Sequence, residues 1–74
     1  MNAKNENNEI TYKFPASVYE ANKTTMLDYL TKFKIKHTVR KSGDVYNLTI
    51  PADSERRFQL RMQLLKIKVK EYKK

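Results

Sequence analysis

Residues 53–74 read DSERRFQLRMQLLKIKVKEYKK, and what this stretch becomes decides the fold. Phe58, Met62, Leu65, Val69 and Tyr72 follow one another at steps of four, three, four and three, the recurrence of one face of an α-helix. At about 100° per residue they fall in a sector of roughly 80°, so the spacing predicts a helix continuing to Tyr72 with one apolar side. A second reading begins at Lys66, because Leu65, Ile67 and Val69 alternate with Lys66, Lys68 and Lys70 as a strand would. No Gly, Pro, Asn, Asp or Ser lies between Gln59 and Lys66 to reverse the chain, which favours the helix. Leu60, Leu64 and Ile67 then project from its far side. They are expected either to dock another protein or a second copy of the chain, or to be buried in a groove beside the first helix.

Immediately upstream, Pro51 closes a strand and Asp53 is placed to cap this helix, with Glu55 complementing the positive end of its dipole. That strand belongs to a hairpin. Ile35, His37 and Val39 share one side of an alternating run, as do Tyr46, Leu48 and Ile50 after Ser42-Gly43. A two-residue turn at Ser42-Gly43 sets Lys41 against Asp44, Val39 against Tyr46, His37 against Leu48 and Ile35 against Ile50, keeping the apolar side chains on one face.

Further upstream, Ser17 stands three residues before Glu20, the spacing of a capping box. A first helix is expected from near Val18 to Phe33 or Lys34, burying Val18, Ala21, Met26, Leu27, Leu30 and Phe33. Before it, Ile10, Tyr12 and Phe14 alternate with Thr11 and Lys13 as a half-buried strand that Pro15 ends. Residues 1–8 are polar with almost nothing to bury and read as a mobile tail, leaving residues 9–74 as one small domain.

The order is β-α-β-β-α, an α+β fold of two layers. A right-handed crossover through the first helix, followed by the hairpin, gives a three-stranded sheet ordered 1-3-2, with two helices on one face and the other face open. A strand near 66–72 would instead complete a ferredoxin-like βαββαβ sheet. Either architecture carries no function by itself.

Sixteen Lys and Arg against eight Asp and Glu give a formal charge of +8 on 74 residues, which favours polyanionic partners, nucleic acid above all. There is no cysteine for a disulfide or a thiolate metal site, and no apolar run approaches a membrane span or a signal-peptide core. A soluble, cytoplasmic chain is expected.

Catalysis has little to draw on. His37 is the only histidine and is read as a structural residue on the inward face of the second strand. The carboxylates lie in the tail, at helix starts, in the hairpin or isolated among lysines, and the single glycine excludes a Gly-rich phosphate loop. No enzyme activity, cofactor or metal is expected.

The cations fall into two groups. Lys13, Lys36 and Arg40 share the open sheet face with Thr11, Thr38, Asn47 and Thr49, a set suited to phosphate and sugar oxygens, whereas Tyr12, Phe14 and Tyr46 point inward and offer no base stacking. Arg56, Arg57, Arg61, Lys66, Lys68 and Lys70 line the last helix. A small accessory or regulatory protein that grips DNA or RNA by its phosphates is the leading expectation. The alternative is a regulator or inhibitor of the kind a mobile element or virus encodes, docking an acidic protein through Leu60, Leu64 and Ile67. Membrane-surface attachment through the basic helix ranks third, since its aromatics are assigned to the core.

Overall fold

A computed structural model describes residues 8–73; apart from Asn8, the segment read as a mobile tail lies outside the described residues. The elements are β1 (Glu9–Pro15), α1 (Ala16–Lys32), β2 (Thr38–Ser42), β3 (Val45–Pro51) and α2 (Glu55–Leu64), with single 3-10 turns at Ala52–Ser54 and Val69–Tyr72. The sheet is ordered β1-β3-β2, with both pairings antiparallel. As the alternation requires, Tyr12, Phe14, Leu48 and Ile50 are buried beneath the helices, which contribute Tyr19, Met26, Tyr29, Leu30, Phe58 and Met62. Tyr19 and Tyr29 take core places that the first-helix stripe assigned to Ala21 and Phe33, both of which are exposed.

The hairpin turns one residue later than its sequence suggests. Its central residues are Gly43 and Asp44, so Ser42 pairs with Val45, Val39 with Leu48 and Thr38 with Thr49. Gly43 occupies the first central position at φ +62, where a two-residue turn needs positive φ. Moving the turn by one residue shifts each partner by two, so the side chains from Thr38 to Ser42 and from Val45 to Pro51 keep their predicted faces. The Asp44 carbonyl accepts the Ala16 N–H at 2.7 Å, tying the start of α1 to the turn. No capping box forms: α1 begins before Ser17, and Glu20 instead accepts the Tyr46 hydroxyl at 3.0 Å. At α2, Ser54 rather than Asp53 is the N-cap residue, because the 3-10 turn takes up Asp53.

Both helices end in the same way. Lys34 and Lys66 adopt φ +57 and +64 just past the helix ends. Lys34 N–H donates to the Thr31 carbonyl and Ile35 N–H to that of Leu30; Lys66 N–H donates to Gln63 and Ile67 N–H to Met62. This is the left-handed helix cap, closed by an apolar contact across the last turn, and glycine is its usual residue. The cap on α1 shortens the second strand: Ile35 is buried ahead of β2, and His37 also lies outside it, holding the Ile35 carbonyl through Nδ1 at 2.9 Å rather than facing Leu48.

The cap on α2 ends the helix at Leu64, so the continuous helix to Tyr72 does not form. The chain reverses at Lys66 and runs back past β1. Ile67 and Val69 enter the core, the Tyr72 ring lies 5.2 Å from that of Phe14, Lys73 forms an ion pair with Glu55, and Lys73 makes a single antiparallel bridge to Tyr12. This is the edge a fourth ferredoxin-like strand would occupy, but among the described residues the segment forms only a 3-10 turn and that one bridge. None of the described helices is long and apolar enough to cross a membrane.

Candidate functional site

The fold divides the basic residues into three settings. The first is the sheet face away from the helices. Strand register places Lys13, Asn47 and Arg40 side by side in one row across β1, β3 and β2, and Thr11, Thr49 and Thr38 in the next. Adjacent strands are about 4.8 Å apart, so the two cations are anchored about 10 Å from each other with an amide between them. Lys13 and Arg40 are exposed, neither row contains a carboxylate, and the strand residues of the core all face the other way. Thr11 and Thr49 share a hydrogen bond of 2.9 Å through their hydroxyls, while the buried Oδ1 of Asn47 has no partner. Lys36 is exposed but lies in the connector before β2, outside both rows.

The second setting is a groove of about 710 Å³ between α2 and the returning segment after Lys66. Arg56, Lys66, Lys68 and Lys70 line it with one carboxylate, Glu71; Gln59, Gln63 and Leu60 form the α2 wall, and Ile67 and Val69 contribute the floor. The groove exists because the chain reverses. On a continuous helix Lys68 would face away from Lys66 and Lys70, whereas the turn at Lys66 sends Ile67 and Val69 inward and leaves Lys66, Lys68 and Lys70 outside.

The third setting is internal support. Arg61 stacks its guanidinium 5.3 Å from the Tyr29 ring centroid and 5.8 Å from that of Phe33, joining α2 to α1. The Tyr29 hydroxyl donates to the Arg57 carbonyl at 3.4 Å. Arg57 is exposed beside this contact, apart from the groove. Of the six cations expected along the last helix, Arg56, Lys66, Lys68 and Lys70 therefore meet at the groove, and Arg57 and Arg61 do not.

The expected docking stripe also divides. Leu60 and Leu64 are 55% and 76% exposed, but Ile67 is only 7% exposed, because the cap swings it under the helix onto Met62. Gln59, Gln63 and Glu71 join the groove without having been expected there, since only the reversal brings them together. Its signal is a repeated motif: Leu30-x-x-Phe33-Lys34-Ile35-Lys36 recurs as Met62-x-x-Leu65-Lys66-Ile67-Lys68, and in both copies the first lysine is the left-handed cap.

Among the described residues, Lys73 with Glu55 is the one ion pair, so the lysines and arginines of the sheet face and the groove rim lack carboxylate partners. Burial raises the Tyr12 hydroxyl pKa, opposed by the hydrogen bond from Gln59 and reinforced by the nearby Glu55 charge. For Tyr46 the hydrogen bond to Glu20 is the main cause of a raised pKa. Among the described residues, no group of three carboxylate or histidine side chains is placed to hold a metal ion. Comparison of the chain with protein-family models, curated proteins and solved structures gave no match.

Proposed function

We propose that the protein is a small, non-enzymatic nucleic-acid-binding accessory or regulatory protein that holds phosphates on its open sheet face. One observation carries this reading: the row Lys13-Asn47-Arg40 beside the row Thr11-Thr49-Thr38, six side chains with no carboxylate among them, bounded by Glu9 two residues further along β1 on the same face. Arginine and lysine supply charge to phosphate oxygens, and hydroxyls and an amide supply hydrogen bonds to phosphate and sugar. The aromatic side chains of the strands lie on the core side, so the face offers no platform for base stacking, and binding should be tolerant of sequence.

Titration with a short DNA duplex, a single-stranded DNA and an RNA of equal length at two salt concentrations tests the proposal. Binding is expected at low salt and should fall steeply at the higher one, because the affinity comes from released counterions. No binding to any of the three at low salt would refute it.

A further inference from the structure

We infer that the groove between α2 and the returning C-terminal segment is a second, independent site, which takes an acidic amphipathic peptide of a partner protein. Its volume of about 710 Å³ lies in the range of ligand-binding clefts, about 300–1,000 Å³. Four cations, Arg56, Lys66, Lys68 and Lys70, surround it against the single carboxylate of Glu71, so its occupant carries negative charge.

Charge alone would suit a nucleic acid equally well; the apolar component decides between them. Leu60 stands in the groove wall and is 55% exposed, and Leu64, one turn further along the same side of α2, is 76% exposed. A phosphate backbone gains nothing from two aliphatic side chains, whereas a peptide with leucine-like anchors among glutamates or aspartates uses both features. Gln63, exposed at the groove, offers both a donor and an acceptor to a peptide backbone. A second copy of the chain fits poorly, because a molecule of formal charge +8 would bring cations against this rim.

The groove and the open sheet face lie on different layers of the fold, so the two sites can be disabled separately. The test uses fluorescence anisotropy with two labelled peptides, one of glutamates interrupted by two leucines a helical turn apart and one of the same length with glutamate alone. Circular dichroism of each variant controls for folding, and Leu60 and Lys68 are exposed and uninvolved in the core. The leucine-containing peptide should bind at least ~10-fold more tightly than its all-glutamate counterpart, as expected for burying one or two aliphatic side chains. Leu60→Asp and Lys68→Glu should each weaken it by a similar factor, and Arg40→Glu should leave it unchanged. Equal affinity for both peptides, or full binding by Leu60→Asp, overturns the inference. So does displacement of the peptide by a DNA duplex that Lys68→Glu abolishes and Arg40→Glu does not, since that outcome assigns the groove to nucleic acid.

Discussion

Lys34 and Lys66 occupy the backbone region that costs a residue with a Cβ about 1–2 kcal/mol and glycine almost nothing. Both side chains are exposed, so replacing them removes strain and disturbs little packing. Lys66→Gly is expected to raise stability by about 0.5–1 kcal/mol, allowing for the greater freedom glycine gives the unfolded chain. Urea unfolding measures it, and an unchanged or lowered midpoint would show that the cap carries no strain. A second expectation at this scale concerns Tyr12, Tyr19 and Tyr46, whose hydroxyls are all raised above the ordinary value of 10.0. Burial is the first cause for Tyr12 and Tyr19 and the Glu20 hydrogen bond for Tyr46, and each favours the neutral phenol in the folded state. Above about pH 10 the unfolded chain binds fewer protons than the folded one, so stability is intact below that pH and declines as pH rises beyond it. Tyrosinate absorbance and circular dichroism recorded together should show ionisation of these tyrosines lagging behind free tyrosine, with unfolding beginning in the same window. Ionisation at the free value without unfolding would contradict it.

Among the elements, the segment after Lys66 separates packing from surface most sharply. Ile67→Ala is expected to cost about 2–4 kcal/mol, as a buried aliphatic does, whereas Leu64→Ala should stay within about 0.5 kcal/mol of the parent. Thermal unfolding of the two variants distinguishes this arrangement from a helix running to Tyr72, in which Ile67 would be exposed. The same segment shows what was legible in advance. The helices followed from helical spacing, the 1-3-2 order from a right-handed crossover, and the inward faces of the strands from period-two alternation, because burial tolerates a shifted turn so long as parity is kept. The cap on α2 was not legible from propensity, since lysine supplies the left-handed residue where glycine would have announced it. Its pull is tertiary: the reversal buries Ile67, which a continuous helix would expose, and keeps Val69 in the core, while leaving Leu65 40% exposed. The sheet-face cations Lys13 and Arg40 were readable because a strand fixes which way each side chain points. Lys36 was misplaced along with the start of β2, and the groove was hidden because it depends on the reversal.

At the scale of the molecule, a formal charge of +8 is spread over surfaces that one ion pair among the described residues does little to neutralise. The helix-side cations and the sheet-face cations lie in different places, so the proposed function assigns long-range attraction to the whole chain and close phosphate contact to Lys13 and Arg40. The most direct measurement is the salt dependence of binding to a short DNA duplex by the parent protein and by Lys13→Gln/Arg40→Gln. Each lost phosphate contact should flatten the plot of log affinity against log salt by about 0.9, so the double variant should bind more weakly at low salt with a slope about 2 units shallower. An unchanged slope and affinity in the double variant would contradict a phosphate-gripping sheet face.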